Sequence, residues 1–275
     1  GREELMFLNI CRKGLLGELY HGEAAYIHDL RWQMYEEEIG TGSWRTLQYE
    51  KKKGNLYPTH GLGPVSQYMN LLRTEDTFKS LISFSSPALG REKFARENFN
   101  ENHKWNKLNY QNGDINTTVI KTYLGRTIMV QWDETSPRPY TRLNLIQGTK
   151  GILAGGPTRA AFNNGFEGYT KDAEEWIIGE GIDALYEKYD HPMYKRLNKI
   201  TQDSGHGGMD GMMVYRIIEC LRKGEPLDQN VYEGCAWSSL IELTSNSVNN
   251  NGQPQDFPDF TRGNWVNTNI FDIIP

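Results

Sequence analysis

Residues Tyr57-Pro-Thr-His60-Gly-Leu-Gly-Pro64 place a phenol, a hydroxyl and an imidazole within four positions. An imidazole titrates near neutral pH, so it can give or take a proton without a large pKa shift. Two prolines and two glycines frame these groups. Pro58 restricts Tyr57 to extended geometry, and Gly61 and Gly63 are expected to provide turns that other residues resist. The apolar run from Gly61 to Leu72 predicts a helix. His60 would then stand where a rigid loop meets a helix, a common way to present a catalytic group. The plain alternative is a tight turn capped by Thr59.

Other residues could line the same cleft. Arg45, in Ser43-Trp-Arg-Thr46, lies twelve positions before Tyr57. Its guanidinium could grip a substrate oxygen with two donors, or simply stack on Trp44. Tyr26 and His28 alternate onto one face near a strand end, which for His28 reads first as a half-buried sheet position. In Ser136-Pro-Arg-Pro-Tyr140 two prolines stiffen a loop and aim Tyr140, although an ordered turn with a packed tyrosine would look the same. His206 and Asp210 are four apart and could share a helix face, but two ligands are short of a metal site. The simpler reading has Asp203 and Ser204 capping a helix and Asp210 holding His206, with His206 as a further polar group at the cleft.

Gly179-Glu-Gly-Ile-Asp-Ala184 has the letters of a dinucleotide fingerprint. Such a motif must follow a buried strand and open a helix. Thr170-Lys-Asp-Ala-Glu-Glu175 before it is polar and reads as helix, and no second strand is evident in 190–205, so the match reads as chance. There is no phosphate-binding P-loop, no G-x-S-x-G and no H-E-x-x-H. No pair of acidic residues stands out from the solvated charge pattern.

The elements that must position these residues form an α+β pattern. Helices are predicted over 2–13 with Gly14 as the stop, 61–72, 173–188, 209–222 and 230–248. Strands are predicted over 18–28, 79–85, 116–124, 127–133, 142–146 and 150–154, with a hairpin at Gly125-Arg126. Segment 30–56 reads as a long irregular loop of the functional kind. Segment 87–112 reads as loop with some helix, 155–170 as loop, and 249–275 as an extended tail on a single domain. Strands joined by short turns, with helices before and after them, argue for a largely antiparallel or mixed open sheet flanked by helices rather than a doubly wound nucleotide fold.

Composition bounds the partners. The 275 residues carry a net charge of -5, and their basic residues are scattered apart from Lys51-Lys52-Lys53, so no nucleic-acid footprint is present. No apolar run has transmembrane length. Three cysteines are too few for a disulfide framework or a zinc cluster. Seven tryptophans and fifteen tyrosines suit a core, and also suit platforms on which sugar C–H faces stack. The first residues run straight into a helical pattern without an N-cap, so the chain is expected to begin inside a longer protein.

Five segments together resemble glycoside hydrolase family 109, the NAD-dependent α-N-acetylgalactosaminidases, a branch of the Gfo/Idh/MocA oxidoreductase family. They are Glu23-Ala-Ala-Tyr26-Ile-His28-Asp-Leu30, Tyr57–Pro64, Thr135-Ser-Pro-Arg-Pro-Tyr140, His206-Gly-Gly-Met-Asp210 and Asp256-Phe-Pro-Asp-Phe-Thr-Arg-Gly263. The resemblance runs from the first helix to the tail and is to the C-terminal substrate domain alone. The family's N-terminal Rossmann domain, with its glycine fingerprint and its glutamate motif beside the nicotinamide, has no counterpart here. What the resemblance implies is hydrolysis through redox chemistry. Hydride leaves sugar C3 for NAD, a base takes the C2 proton, the glycosidic oxygen is eliminated, water adds, and the hydride returns, with retention. By position, Tyr26, Arg45, Tyr57 and His60 match residues lining the sugar site, and Tyr140 matches one contacting the dinucleotide. His60 is the expected acid or base, with Tyr57 assisting it or bonding the sugar at C3. NAD would be held mainly by the N-terminal domain, and this fragment alone would be inactive. The open sheet face of such domains often forms dimers, so a homodimer is an expectation, and family members are often exported. Two other functions fit the residues. A sugar oxidoreductase of the same fold would accumulate NADH, and a non-catalytic carbohydrate-binding domain would turn nothing over.

Overall fold

The computed structural model describes residues 1–38, 44–269 and 273. Positions 39–43 of the predicted long loop, and 270–272 and 274–275 of the predicted tail, lie outside them. In chain order the elements are α1 (Arg2–Arg12), β1 (Leu19–Ile27), α2 (Trp44–Lys51), α3 (Thr59–Tyr68), β2 (Phe78–Ser85), α4 (Gly90–Asn98), β3 (Ile115–Thr122), β4 (Thr127–Asp133), β5 (Leu145–Gly148), β6 (Gly151–Ala154), β7 (Arg159–Phe162), α5 (Glu180–Tyr189), α6 (Pro192–Thr201), α7 (Met209–Lys223), α8 (Val231–Asn249) and β8 (Gln255–Asp256).

The strands form one sheet in the order β7-β6-β5-β1-β4-β3-β2-β8. Every neighbouring pair is antiparallel except β1 with β4. This is the α+β mixed open sheet expected from the pattern of strands and turns. Helices cover one face. Met6, Phe7 and Ile10 of α1, Leu62 and Val65 of α3, and Trp237 and Leu240 of α8 pack with Ala24, Leu81, Ile120, Ile128 and Val130 of the sheet. The opposite face leaves Ile82, Phe84 and Val119 exposed.

The topology explains where the site sits. Strand β1 is central, with β4 on one side and β5 on the other. Because β4 runs parallel to β1, its connection to β5 starts beside the C-terminal end of β1 and must cross that end. Loop 134–144, which carries Tyr140, is therefore laid over Tyr26 and His28. Leu143 and Asn144 take φ values of 57° and 51° where the loop turns into β5. Asn144 is tied on both sides, accepting from the Tyr68 hydroxyl at 2.9 Å and donating to Glu3 at 2.8 Å.

Several boundaries differ from the sequence reading, each for a local reason. Helix α3 starts at Thr59 rather than Gly61 and ends at Tyr68 rather than Leu72. Pro58 is its N-cap, and no side chain caps it, so Thr59 is the first helical residue and not a cap. Gly61 and Gly63 lie inside the helix and provide no turns. The segment 30–56 is not wholly irregular, since it holds α2, whose buried Tyr49 packs on Trp132 with ring centroids 5.4 Å apart. Gly179, at φ 53°, stops any helix from running through it, so α5 begins at Glu180 rather than at 173. The expected strand 142–146 sits slightly later, as β5. Helix α6, unforeseen, begins at Pro192 with the His191 imidazole accepting from the Met193 amide at 3.1 Å. Strand β7 falls in the expected loop 155–170, where buried Ala160 and Ala161 pair with β6. The tail contributes β8, which pairs with β2 and forms that edge of the sheet.

Gly61 is needed for close approach. A Cβ there would lie 2.3 Å from the amide nitrogen and 2.6 Å from the carbonyl oxygen of Ala25. The contact is reciprocal, since a Cβ on Gly22 of β1 would lie 2.5 Å from a Val65 methyl. At Gly63 the nearest atoms are those of the Trp237 ring, 3.6 Å away, which is ordinary contact. Gly61→Ala is therefore expected to cost about 2–3 kcal/mol through overpacking against a rigid backbone. Gly63→Ala should be neutral or stabilise by up to about 1 kcal/mol through helix propensity. Denaturant unfolding of the two variants checks the contrast.

Candidate active site

Each sequence-predicted residue arrives at the end of β1 by a separate route. Tyr26 points from β1 towards the helix layer and is buried. Tyr57 precedes α3 in a segment pinned to α8. The Asn55 amide donates to Thr244 Oγ1 at 3.0 Å, and the Asn55 side chain accepts from the Tyr57 amide at 2.9 Å. His60 lies in the first turn of α3. Pro64 has no N–H to give to the His60 carbonyl, so the helix backbone is open at this turn. Arg45 comes from the first turn of α2, and Tyr140 from the loop that crosses β1.

These residues converge. The ring centroids of Tyr26 lie 4.8 Å from Tyr57, 5.0 Å from His60 and 6.3 Å from Tyr140, and Tyr57 lies 4.8 Å from His60. The Arg45 guanidinium sits 5.4 Å from the Tyr57 ring and 4.6 Å from Trp44, so the expected stacking on Trp44 is present. Beneath them Leu30, Tyr49, Leu56 and Trp132 form an apolar floor. His60 and Tyr140 are exposed at the rim.

The environment tunes the titratable groups. Desolvation against the neighbouring rings, followed by the positive charge of Arg142, holds the His60 pKa below its ordinary value. His206 adds a smaller effect in the same direction. Burial pushes the Tyr26 phenol up to about 12, with the Glu134 carboxylate contributing. His28 is half-buried one residue beyond β1, as its pattern suggested. Its Nδ1 lies 3.2 Å from the Tyr26 hydroxyl and its ring 5.1 Å from Tyr140, so it belongs to the cluster. Desolvation and then Arg45 lower its pKa.

Two groups escaped the sequence reading. Glu134 is a buried carboxylate that accepts from Arg45 Nε at 3.1 Å, and burial raises its pKa. Gln33 accepts from Arg45 Nη1 at 3.1 Å. No periodicity distinguishes either, because both lie outside the strands and the α-helices. His206 is held by Asp210 at 2.9 Å, the simpler of its two readings, and Ser204 accepts from the Gly211 amide at 2.8 Å to cap α7. Among the described residues no group of three or more His, Cys, Asp or Glu could hold a metal ion. The Gly179–Ala184 run does open a helix, contrary to the expectation that helix precedes it, but it follows an isolated bridge at Ile177 rather than a strand, and 190–205 holds helix α6 and no strand. It therefore lacks the frame of a dinucleotide fingerprint. No described helix is long and apolar enough to cross a membrane.

The fold recurs among nucleotide-dependent oxidoreductases. An NAD binding oxidoreductase from Klebsiella pneumoniae superposes with a TM-score of 0.62 at 11% identity, over 94% of this chain and 65% of that one. An oxidoreductase domain protein from Kribbella flavida gives 0.59 at 12%, over 94% and 64%. Levoglucosan dehydrogenase in complex with NADH and levoglucosan gives 0.56 at 12%, also over 94% and 64%. At such identities the likeness shows the fold alone.

The sequence narrows this to one family. A family model described as glycosyl hydrolase 109, C-terminal domain, matches residues 1–267. Glycosyl hydrolase family 109 protein 1 of Akkermansia muciniphila is 59% identical over 276 residues, covering all of this chain and 57% of that protein. A family 109 protein of Shewanella sp. (strain W3-18-1) is 55% identical over 275 residues, covering all of this chain and 59% of that protein. The chain belongs to glycosyl hydrolase family 109, as its C-terminal domain. It spans less than two thirds of the length of these relatives.

An NMR pH titration should place the His60 and His28 midpoints below 6.5, and Arg142→Gln should raise that of His60. Each folded-state pKa lies below its unfolded value, so the unfolded chain binds more protons between the two. Stability should therefore be full above about pH 6.5 and fall as pH drops towards the folded midpoints. Replacing both imidazoles with glutamine should flatten that slope in denaturant unfolding.

Proposed function

We propose that this domain forms the sugar-facing wall of an NAD-dependent glycosidase acting on α-N-acetylgalactosaminides, within a longer family 109 protein. The observation that carries the reading is the convergence of Tyr26, Arg45, Tyr57, His60 and Tyr140 from four separate segments into one cluster at the end of β1. Aromatic faces suit the C–H faces of a sugar ring, and the polar tips fix its hydroxyls.

NAD, when bound, supplies a hydride acceptor that returns the hydride in the same turnover. The residues present fit the edge of such a group. Tyr140 is 51% exposed, and with Arg138 it borders a cavity of about 240 Å³. A flat ring and a guanidinium have the chemistry to meet a dinucleotide, whereas a full pyrophosphate cradle is not found among the described residues.

The chain's own residues divide the proton work. His60, held neutral at pH 7, takes a proton from C2 of the sugar and can return it. Tyr57, beside it, bonds a sugar hydroxyl or assists that transfer. Tyr26 stays a neutral phenol. With His28 neutral and its proton on Nε2, its Nδ1 accepts a hydrogen bond from the Tyr26 hydroxyl, which leaves the phenol oxygen to accept from a sugar hydroxyl. Arg45 has two of its five donors committed to Glu134 and Gln33, and the rest can fix a substrate oxygen.

His60→Ala in the full-length protein is expected to lower kcat on an aryl α-N-acetylgalactosaminide by about 10²–10⁴. A kcat near that of the wild type would sink the role given to His60. The same assay followed at the NADH absorbance decides between hydrolysis and plain sugar oxidation. Hydrolysis leaves the NADH level flat while product forms, whereas oxidation accumulates one NADH per sugar.

A further inference from the structure

The residue that follows β4, Glu134, lies beneath the aromatic cluster with a side chain only 1% exposed. One of its oxygens accepts from Arg45 Nε at 3.1 Å. The other lies 3.8 Å from Nη2 of Arg91, which is equally buried. Arg91 in turn donates to Thr46 Oγ1 at 3.0 Å and lies 4.4 Å over the Tyr49 ring. Thr46 and Tyr49 belong to α2, the helix that carries Arg45. A single buried carboxylate is thus faced by two guanidinium groups, both tied to α2.

Such an arrangement is a poor way to gain stability. Burying charges costs desolvation that their attraction seldom repays, and apolar residues of similar volume often serve as well. What it does provide is placement. Glu134 fixes Arg45 at Nε and Gln33 fixes it at Nη1, while Trp44 and Tyr57 bound the guanidinium. The Nη2 edge is engaged by no described residue.

We propose that Glu134 is a positioning residue that anchors Arg45 so that its Nη2 edge is presented to a substrate oxygen beside Tyr57 and His60. This rests on the reading of the cluster as a sugar site and goes beyond it, because that reading needs Arg45 but says nothing of what holds it. Arg91 completes the device by tethering the carboxylate to α2 from the far side.

The test uses the full-length protein. Glu134→Gln removes the charge with little change of shape. Glu134→Asp keeps a charge facing Arg91, and so guards against a variant that fails to fold, but withdraws the carboxylate from Arg45. Each is expected to lower kcat/KM on the aryl glycoside about tenfold, mainly through KM, since Arg45 is assigned to binding. In an Arg45→Lys background the same changes should cost less than about twofold, because the group through which Glu134 acts is already gone. Fully additive losses would overturn the proposal, since a purely structural carboxylate would weaken both backgrounds alike. A second readout needs no turnover: the Arg45 Nε–H resonance should be protected from solvent exchange in the wild type, be less protected in Glu134→Gln, whose amide oxygen still accepts, and lose that protection in Glu134→Asp. Protection that survives unchanged in Glu134→Asp would also overturn it. Loss of protection with a wild type that hydrolyses no glycoside would sink the sugar-site reading and leave the anchor standing.

Discussion

The site depends on two backbones meeting without a side chain between them. Helix α3 lies on β1 at Gly61, where the Ala25 amide and carbonyl fill the space a Cβ would take. Val65 enters the matching gap at Gly22. One glycine on each element thus sets both the depth and the register of the helix on the strand. Tyr57 and His60 come just before the contact on one element, and Tyr26 follows it on the other. Their rings meet at 4.8–5.0 Å because the backbones do. Close packing leaves such a joint little room to adjust, so a one-carbon change there is felt at the rings.

Strand order adds the second wall of the cluster. Placing β4 and β5 on opposite sides of β1 forces their connection across the strand end. The crossing is fastened at both ends. The Asp133 side chain accepts from the Thr135 and Ser136 amides at 2.9 Å and 3.0 Å where the loop begins, and Asn144 bridges Tyr68 and Glu3 where it finishes. Tyr140 is therefore held by topology as much as by its two neighbouring prolines. The same turn away from β4 drops Glu134 into the interior, so one stretch of chain delivers both a rim aromatic and the buried carboxylate under Arg45.

How far the sequence disclosed this follows from what local patterns can carry. Strand alternation located β1 to β4 closely, because half-buried strands write their faces into every second residue. The octapeptide at Tyr57 announced chemistry, but its glycines looked like turn formers. Only the neighbouring strand, distant in sequence, shows that Gly61 serves close approach inside a helix. Helix α2 was hidden because its segment is polar around few buried residues, and β7 because four residues are too short to show a period. Helix α6 had a legible start in His191-Pro192, with proline at the first helical turn, and that signal was there to be used. Glu134 had none, since a buried acid differs from a solvated one only through partners on α2 and α4.

The chemistry of the wall follows from its packing. The rings that could carry a sugar also take water away from His60, His28 and Tyr26. Desolvation is the leading cause of all three shifts, downward for the imidazoles and upward for the phenol. Each shift favours the neutral form. Arg45 pairs with Glu134 from above, and Arg91 faces the same carboxylate from the far side. An aromatic wall with a guanidinium seated over a buried carboxylate matches an uncharged ring bearing hydroxyls, which gains from stacking and directed hydrogen bonds. The base and the platform are consequently one construction. Removing an aromatic ring to open the site would rehydrate His60 and move its pKa back up towards its ordinary value. Sugar binding and the basicity of His60 are coupled through the same rings.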